Sequence, residues 1–130
     1  MLKVGDKAPI DNAELAGKYL VLYFYPKDDT PGCTREAGSI RDVRGELDAL
    51  DVKVVGVSKD SPASHQKFIK KYDLNFTLRS DAEGKLAEAF GVKSRSTFLI
   101  DPKGVIIHVW PNVTPDHHGE EIVERVKREK

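Results

Sequence analysis

Cysteine is nearly absent from this sequence: Cys33 stands alone among 130 residues. One cysteine excludes an intrachain disulfide, and with it a disulfide-stapled scaffold. Such usage points to a reducing compartment, the cytoplasm, although the processed form of a longer precursor would read the same way. An excess of one charge sign is also missing. The 21 basic and 21 acidic residues cancel, so bulk charge supports neither nucleic-acid nor membrane binding. No apolar run nears the about 20 residues of a membrane-spanning helix, and Met1–Asp6 lacks the apolar core of a signal peptide. Repeats, low-complexity tracts and linkers are lacking too. What is there is ordinary for a globular chain: 39% apolar and 32% charged residues, and short punctuation throughout. The expectation is one domain over residues 1–130.

The continuous apolar and aromatic run Tyr19–Tyr25, ended by Pro26, reads as a strand covered on both faces. A polar loop, Lys27–Gly32, follows. Residues 33–50 then read as a helix, with Ala37, Ile40, Leu47 and Leu50 on related faces and Gly38 and Gly45 as weak points. Val52–Ser58 is a second, valine-rich strand. Ser61 and Pro62 open a helix running to Tyr72, as N-cap and first residue. Phe76–Leu78 reads as a short strand and Asp81–Phe90 as a helix closed by Gly91. Thr97–Ile100 and Val105–Trp110 flank Asp101-Pro102-Lys103-Gly104 as a hairpin. Thr114–Lys130 closes the chain as an amphipathic helix carrying Ile122, Val123 and Val126, with the Lys/Glu-rich face from Glu120 onward in solvent. Early alternation implies parallel strands joined by right-handed crossovers, and the late hairpin adds antiparallel ones. The fold class is α/β: an α/β/α sandwich around a mixed sheet. Such folds host many functions.

Cys33 falls between the first buried strand and the helix after it, where α/β folds gather their sites. In the first helical turn, free N–H groups and the positive end of the dipole favour an anion, and a thiolate is the reactive form of cysteine. Gly32 permits close backbone approach and Pro31 stiffens the turn. A lone cysteine is also commonly a small buried hydrophobe, and position alone leaves both readings standing. Spacing names no substrate.

The stretch Val21–Ala37, with Tyr25-Pro26-Lys27-Asp28-Asp29-Thr30-Pro31-Gly32-Cys33-Thr34 at its centre, closely resembles the peroxiredoxins. More narrowly it is similar to their bacterioferritin comigratory protein, or peroxiredoxin Q, subfamily. Pro26, Thr30 and Cys33 match the family's spaced motif. Further resemblance lies in Ile40-Arg41-Asp42, Val55–Ser58, Arg95–Asp101, Val109-Trp110 and the closing helix, so it covers nearly the whole chain. The resemblance implies a thioredoxin-like fold and thiol-dependent reduction of hydrogen peroxide and organic hydroperoxides without a cofactor or metal. Cys33 would be the peroxidatic residue, Thr30 would hydrogen-bond peroxide and thiolate, and Pro26 would shield the pocket from water. Arg95 would be the active-site arginine. The N–H groups of Gly32 and Cys33, the Thr30 hydroxyl and the Arg95 fork are the donors for charge growing on the leaving oxygen. Glu36, one turn after Cys33, would position Arg95 or order the pocket, beside a plain structural role in the helix; Asp42 after Arg41 would do similar supporting work.

The sequence departs from that pattern at Gly38, which occupies the place of the subfamily's common resolving cysteine. The internal disulfide cannot form. A one-cysteine cycle follows: Cys33 becomes sulfenic acid, and an external thiol such as thioredoxin, glutaredoxin or a small thiol resolves it, with overoxidation as the hazard. Peroxide and that thiol are the expected partners, and the protein a monomer or weak dimer. Two stretches are short for the subfamily, between Pro9 and Tyr19 and between Gly91 and Arg95. The competing function is a peroxide sensor or thioredoxin-like binding protein without efficient turnover. Elsewhere, His65, His108, His117 and His118 show no metal-ligand spacing and read as surface residues. Asp28 and Asp29 read as loop-solvating charges, Tyr23, Phe24, Tyr25 and Phe98 as core, and Trp110 as a cap on the sheet end.

Overall fold

A computed structural model describes residues 1–92 and 95–130. In chain order the elements are α1 (Asn12–Leu15), β1 (Tyr19–Phe24), α2 (Pro31–Asp42), α3 (Arg44–Ala49), β2 (Val52–Ser58), α4 (Pro62–Tyr72), β3 (Thr77–Ser80), α5 (Lys85–Phe90), β4 (Ser96–Ile100), β5 (Ile106–Trp110) and α6 (His118–Glu129). The five strands form one mixed sheet in the order β3-β2-β1-β4-β5. β1 pairs parallel with β2 and antiparallel with β4; β2 and β3 are parallel, β4 and β5 antiparallel. This is the α/β sandwich expected from the element order.

β1 is central, and its alternation sends side chains to two cores. Val21, Tyr23 and Tyr25 join Ala37, Ile40, Leu47, Phe68, Ile122 and Val126, so α2, α3, α4 and α6 cover that face. Leu20, Leu22 and Phe24 join Leu15, Phe90, Phe98 and Ile106, so α1 and α5 cover the other. A strand buried on both faces has no polar alternation, which is why this one reads as a continuous apolar run. At Gly56 of β2 an added Cβ would lie 2.7 Å from the Tyr23 ring, so glycine here makes room for a core aromatic.

Several boundaries differ from expectation. The helix expected over residues 33–50 begins at Pro31 and breaks at Val43, whose φ of −105° and ψ of 6° leave the helical well while its N–H turns to Ile40 O. The helix expected from Asp81 begins at Lys85. Asp81 instead caps it, its carboxylate accepting from Leu86 N and Ala87 N, both at 3.0 Å. The last helix begins at His118, not Thr114, because His117 sits at φ 62° and cannot continue a right-handed turn. The short strand near residue 77 runs later than expected, over Thr77–Ser80. Between Pro9 and Tyr19 the chain makes only the single turn α1. Of the shortened stretch between Gly91 and Arg95, Lys93 and Ser94 lie outside the described residues. Among the described residues no helix is long and apolar enough to cross a membrane.

Candidate active site

The loop from β1 to α2 leaves the sheet at its centre. Tyr25 still bonds β2 through its N–H to Val57 O at 3.0 Å; after it the chain is free to turn. Thr30 is the N-cap residue, extended at φ −95° and ψ 155°, and Pro31 takes the first helical position. The first helical bond is Thr34 N to Thr30 O, at 2.8 Å. The N–H groups of Gly32 and Cys33 precede it and so have no acceptor within the helix. Cys33 therefore stands in the first turn with its side chain turned inward, 2% exposed.

Arg95, just before β4, reaches this turn from the neighbouring strand. One guanidinium nitrogen, Nη2, donates to Cys33 Sγ at 3.4 Å; the other, Nη1, donates to Glu36 Oε1 at 2.7 Å. Glu36 is fully buried, and burial raises its carboxyl to about 7 against the pull of Arg95 toward ionisation. Its second oxygen, Oε2, has no hydrogen-bond partner among the described residues, nor has the buried Tyr23 hydroxyl. Burial and then the charge of Glu36 push the Tyr23 phenol well up, so it stays neutral. Gly32 matters sterically: a Cβ there would lie 3.1 Å from Arg95 Nη2 and 3.6 Å from Pro115 Cγ. The segment before α6 thus lies against the site, held by Ser96 Oγ on Pro111 O at 2.9 Å and by Arg35 Nε on Asp116 at 2.8 Å.

The structure brings together Cys33, Gly32, Glu36 and Arg95. Thr30 adjoins them as N-cap, but its hydroxyl donates to Lys27 O at 2.9 Å. Pro26 is exposed and borders a different space. That cavity, about 520 Å³, opens between the ends of β1 and β2 and α5, and its lining includes neither Cys33 nor Arg95. Asp42 is exposed and pairs with Arg41 at 3.0 Å, away from Arg95.

Several residues read from sequence as surface groups are buried. Asp28 does not solvate the loop; it accepts from Tyr25 OH at 2.6 Å and from Ser64 Oγ at 2.8 Å, and pairs with His65 Nδ1 at 2.8 Å. Asp29 is the exposed member of the pair, bonded to Lys71 and Tyr72. His65 is buried in α4 and His118 at the start of α6, where Nε2 lies 2.8 Å from Thr97 Oγ1. Burial lowers His118, keeping it neutral. His117 is exposed, as expected, and His108 half-buried. Asp28 and His65 are 37 positions apart, and no local pattern connects them; only tertiary structure makes them a pair.

Comparison with known proteins finds relatives along nearly the whole chain. The AhpC/TSA family model matches residues 1–109. Peroxiredoxin Bcp of Bacillus subtilis is 41% identical over an alignment of 150 positions, covering 97% of this chain and 96% of that one. The alignment is longer than this chain, so the chain carries deletions relative to the Bacillus protein. A mutant of Xylella fastidiosa PrxQ superposes with a TM-score of 0.94 at 30% identity, over 99% of this chain and 98% of that one. A Xanthomonas campestris bacterioferritin comigratory protein, studied for alkyl peroxide reduction, gives 0.85 at 36% identity, over 87% and 80%. With a buried cysteine in a first helical turn beneath an arginine fork, and relatives matched over nearly its full length, the chain belongs to the AhpC/TSA family, in its bacterioferritin comigratory protein and peroxiredoxin Q branch.

Proposed function

We propose that Cys33 is the peroxidatic residue of a one-cysteine cycle resolved by an external thiol. The chain is a thiol-dependent peroxidase, a peroxiredoxin. The observation that carries the finer reading is the Arg95 Nη2 contact with Cys33 Sγ at 3.4 Å. A thiolate there attacks one peroxide oxygen, the S–O bond forms as the O–O bond breaks, and the leaving oxygen takes a proton to become water or an alcohol. Arg95 and the free N–H groups of Gly32 and Cys33 oppose the charge on the departing oxygen. Cys33 is left as sulfenic acid. One external thiol displaces water to give a mixed disulfide, and a second releases Cys33 and leaves as the disulfide.

Gly38 and the single cysteine support external resolution, because no second thiol exists in the chain. Thioredoxin, glutaredoxin or a small thiol in the cytoplasm would suit, as would a monomer or weak dimer. Organic hydroperoxides are included by analogy with the Xanthomonas protein studied for alkyl peroxide reduction. Burial of Cys33 favours one alternative specifically: a sensor that oxidises quickly and is reduced poorly, since a bulky thiol must reach a sulfur in a residue 2% exposed. Stopped-flow oxidation followed by addition of each reductant tests both. Fast oxidation with rapid recycling is expected of the enzyme. Oxidation that no thiol reverses selects the sensor, and turnover unchanged in Cys33→Ser overturns both.

A further inference from the structure

We propose that Asp28 and His65 are positioning residues for the Cys33 reaction: a buried latch that ties the loop carrying Cys33 to helix α4. The proposal rests on Cys33 being the reactive group but adds a pair that the chemistry does not touch. Asp28 is the midpoint of the loop between β1 and α2, and its side chain is 4% exposed. A carboxylate so deep is costly unless fully bonded. It is: Tyr25 OH donates at 2.6 Å, Ser64 Oγ at 2.8 Å, and His65 Nδ1 lies at 2.8 Å. These contacts need a proton on His65 Nδ1. Nε2 then faces a buried site without a partner among the described residues. The Asp28 N–H is held as well, by Asp60 Oδ2 at 2.8 Å.

The next residue extends the same tie. Asp29 takes φ 57° and its carboxylate bonds Lys71 Nζ at 2.8 Å and Tyr72 OH at 2.6 Å, at the far end of α4. The loop is thus laid along α4 and fixed at both ends of that helix. Arg95 reaches Cys33 from the other side, from the edge of β4. The Sγ–Nη2 distance therefore depends on two independent supports, and the latch is the one on the loop side. A reaction that depends on aligned donors is sensitive to displacements of about 1 Å, which can cost about 10²-fold.

The experiment compares His65→Leu, His65→Asn and Tyr25→Phe with the wild type, each normalised to titrated Cys33. Two rates are read: peroxide oxidation by stopped flow, and iodoacetamide alkylation at pH 7. Asparagine keeps an N–H donor near the place of Nδ1; leucine does not; phenylalanine removes one donor and only the volume of its oxygen from the core. The expected result is a loss of about tenfold or more in oxidation per site for His65→Leu, recovery to within about threefold for His65→Asn, and an intermediate loss for Tyr25→Phe. A purely structural role would lower the melting temperature while leaving the rate per reactive site unchanged in all three, and that outcome overturns the proposal. If His65→Leu fails to fold, Tyr25→Phe decides: an unchanged per-site rate overturns the latch, a reduced one supports it. Should the wild type itself not react with peroxide, the proposed function fails separately, and the alkylation rates still decide the latch by the same ordering.

Discussion

Arg95 bridges Cys33 and Glu36, with one guanidinium nitrogen 3.4 Å from the sulfur and the other 2.7 Å from the carboxylate. A planar fork can hold both at once; a lysine ammonium can approach either but cannot span them in the same geometry. Arg95→Lys is therefore expected to lose about 10²-fold in the rate of Cys33 oxidation, the order found when one preorganised donor is removed from a developing oxyanion. Stopped-flow traces with hydrogen peroxide check this, and a rate within threefold of wild type would remove Arg95 from the mechanism.

Gly32 is the steric counterpart of that fork. An alanine Cβ would stand 3.1 Å from Arg95 Nη2, so the guanidinium must retreat by some tenths of an ångström. The helix should tolerate alanine well, since it is the stronger helix former. Gly32→Ala is expected to keep or raise the melting temperature while slowing peroxide oxidation by about tenfold. A slower rate accompanied by an equal loss of stability would instead mark Gly32 as a folding requirement.

Glu36 gives the pair a pH dependence whose sign follows from its burial. The folded state raises this carboxyl from 4.5 to about 7, so between those values the native protein holds a proton that the unfolded chain has released. Its stabilising effect is complete below about pH 4.5 and is lost as pH rises through 7, on the order of 3 kcal/mol in all. His118 works in the opposite sense: burial lowers it, so stability falls as pH drops below its ordinary 6.5. Comparing wild type with Glu36→Gln isolates the first effect. Urea unfolding at pH 5 and pH 8 should show Glu36→Gln gaining relative stability at the higher pH. Parallel changes in the two proteins would count against the buried-carboxyl account.

The sheet is legible in the sequence because its strands are written in one-dimensional patterns. The run Tyr19–Tyr25 signals two-sided burial, and the valine-rich run Val52–Ser58 coincides with β2 to the residue. Ser61-Pro62 marks a helix start through a cap that the structure contains, Ser64 N on Ser61 Oγ at 3.1 Å. Helix ends controlled by distant or conformational features are less legible: nothing in the apolar spacing of residues 33–50 announces the break at Val43, and the left-handed His117 resembles any other helical residue in sequence. The site divides the same way. Cys33 and the residues around it share one segment, whereas the buried partnership of Asp28 with His65 joins residues that look solvent-bound when read singly. Charged residues are usually outside, and only a contact made by folding reverses that expectation.

Gly38 offers the most direct test of the one-cysteine cycle. Its position is roomy: a Cβ there would meet only Arg41 Nη2, at 3.7 Å, so Gly38→Cys should fold. In intact α2 the two sulfurs could not join, because residues five apart are separated by about 7.5 Å along the helix axis alone, beyond disulfide reach. A bond between Cys33 and the introduced thiol thus requires the first turns of α2 to open after oxidation. Mass spectrometry after one equivalent of peroxide should show wild-type Cys33 carrying one oxygen, trapped by a sulfenic-acid probe. The Gly38→Cys chain should instead show loss of two hydrogens if its helix opens. With excess peroxide and no reductant the wild type is expected to accumulate sulfinic acid, and Gly38→Cys at least about fivefold less, because a nearby thiol intercepts the sulfenic acid before a second peroxide does. Equal sulfinic acid in both, with no internal disulfide, would mean that α2 stays closed around the oxidised sulfur. The external thiol would then have to reach a sulfur whose residue is 2% exposed without that opening, and a small thiol should outperform a protein reductant.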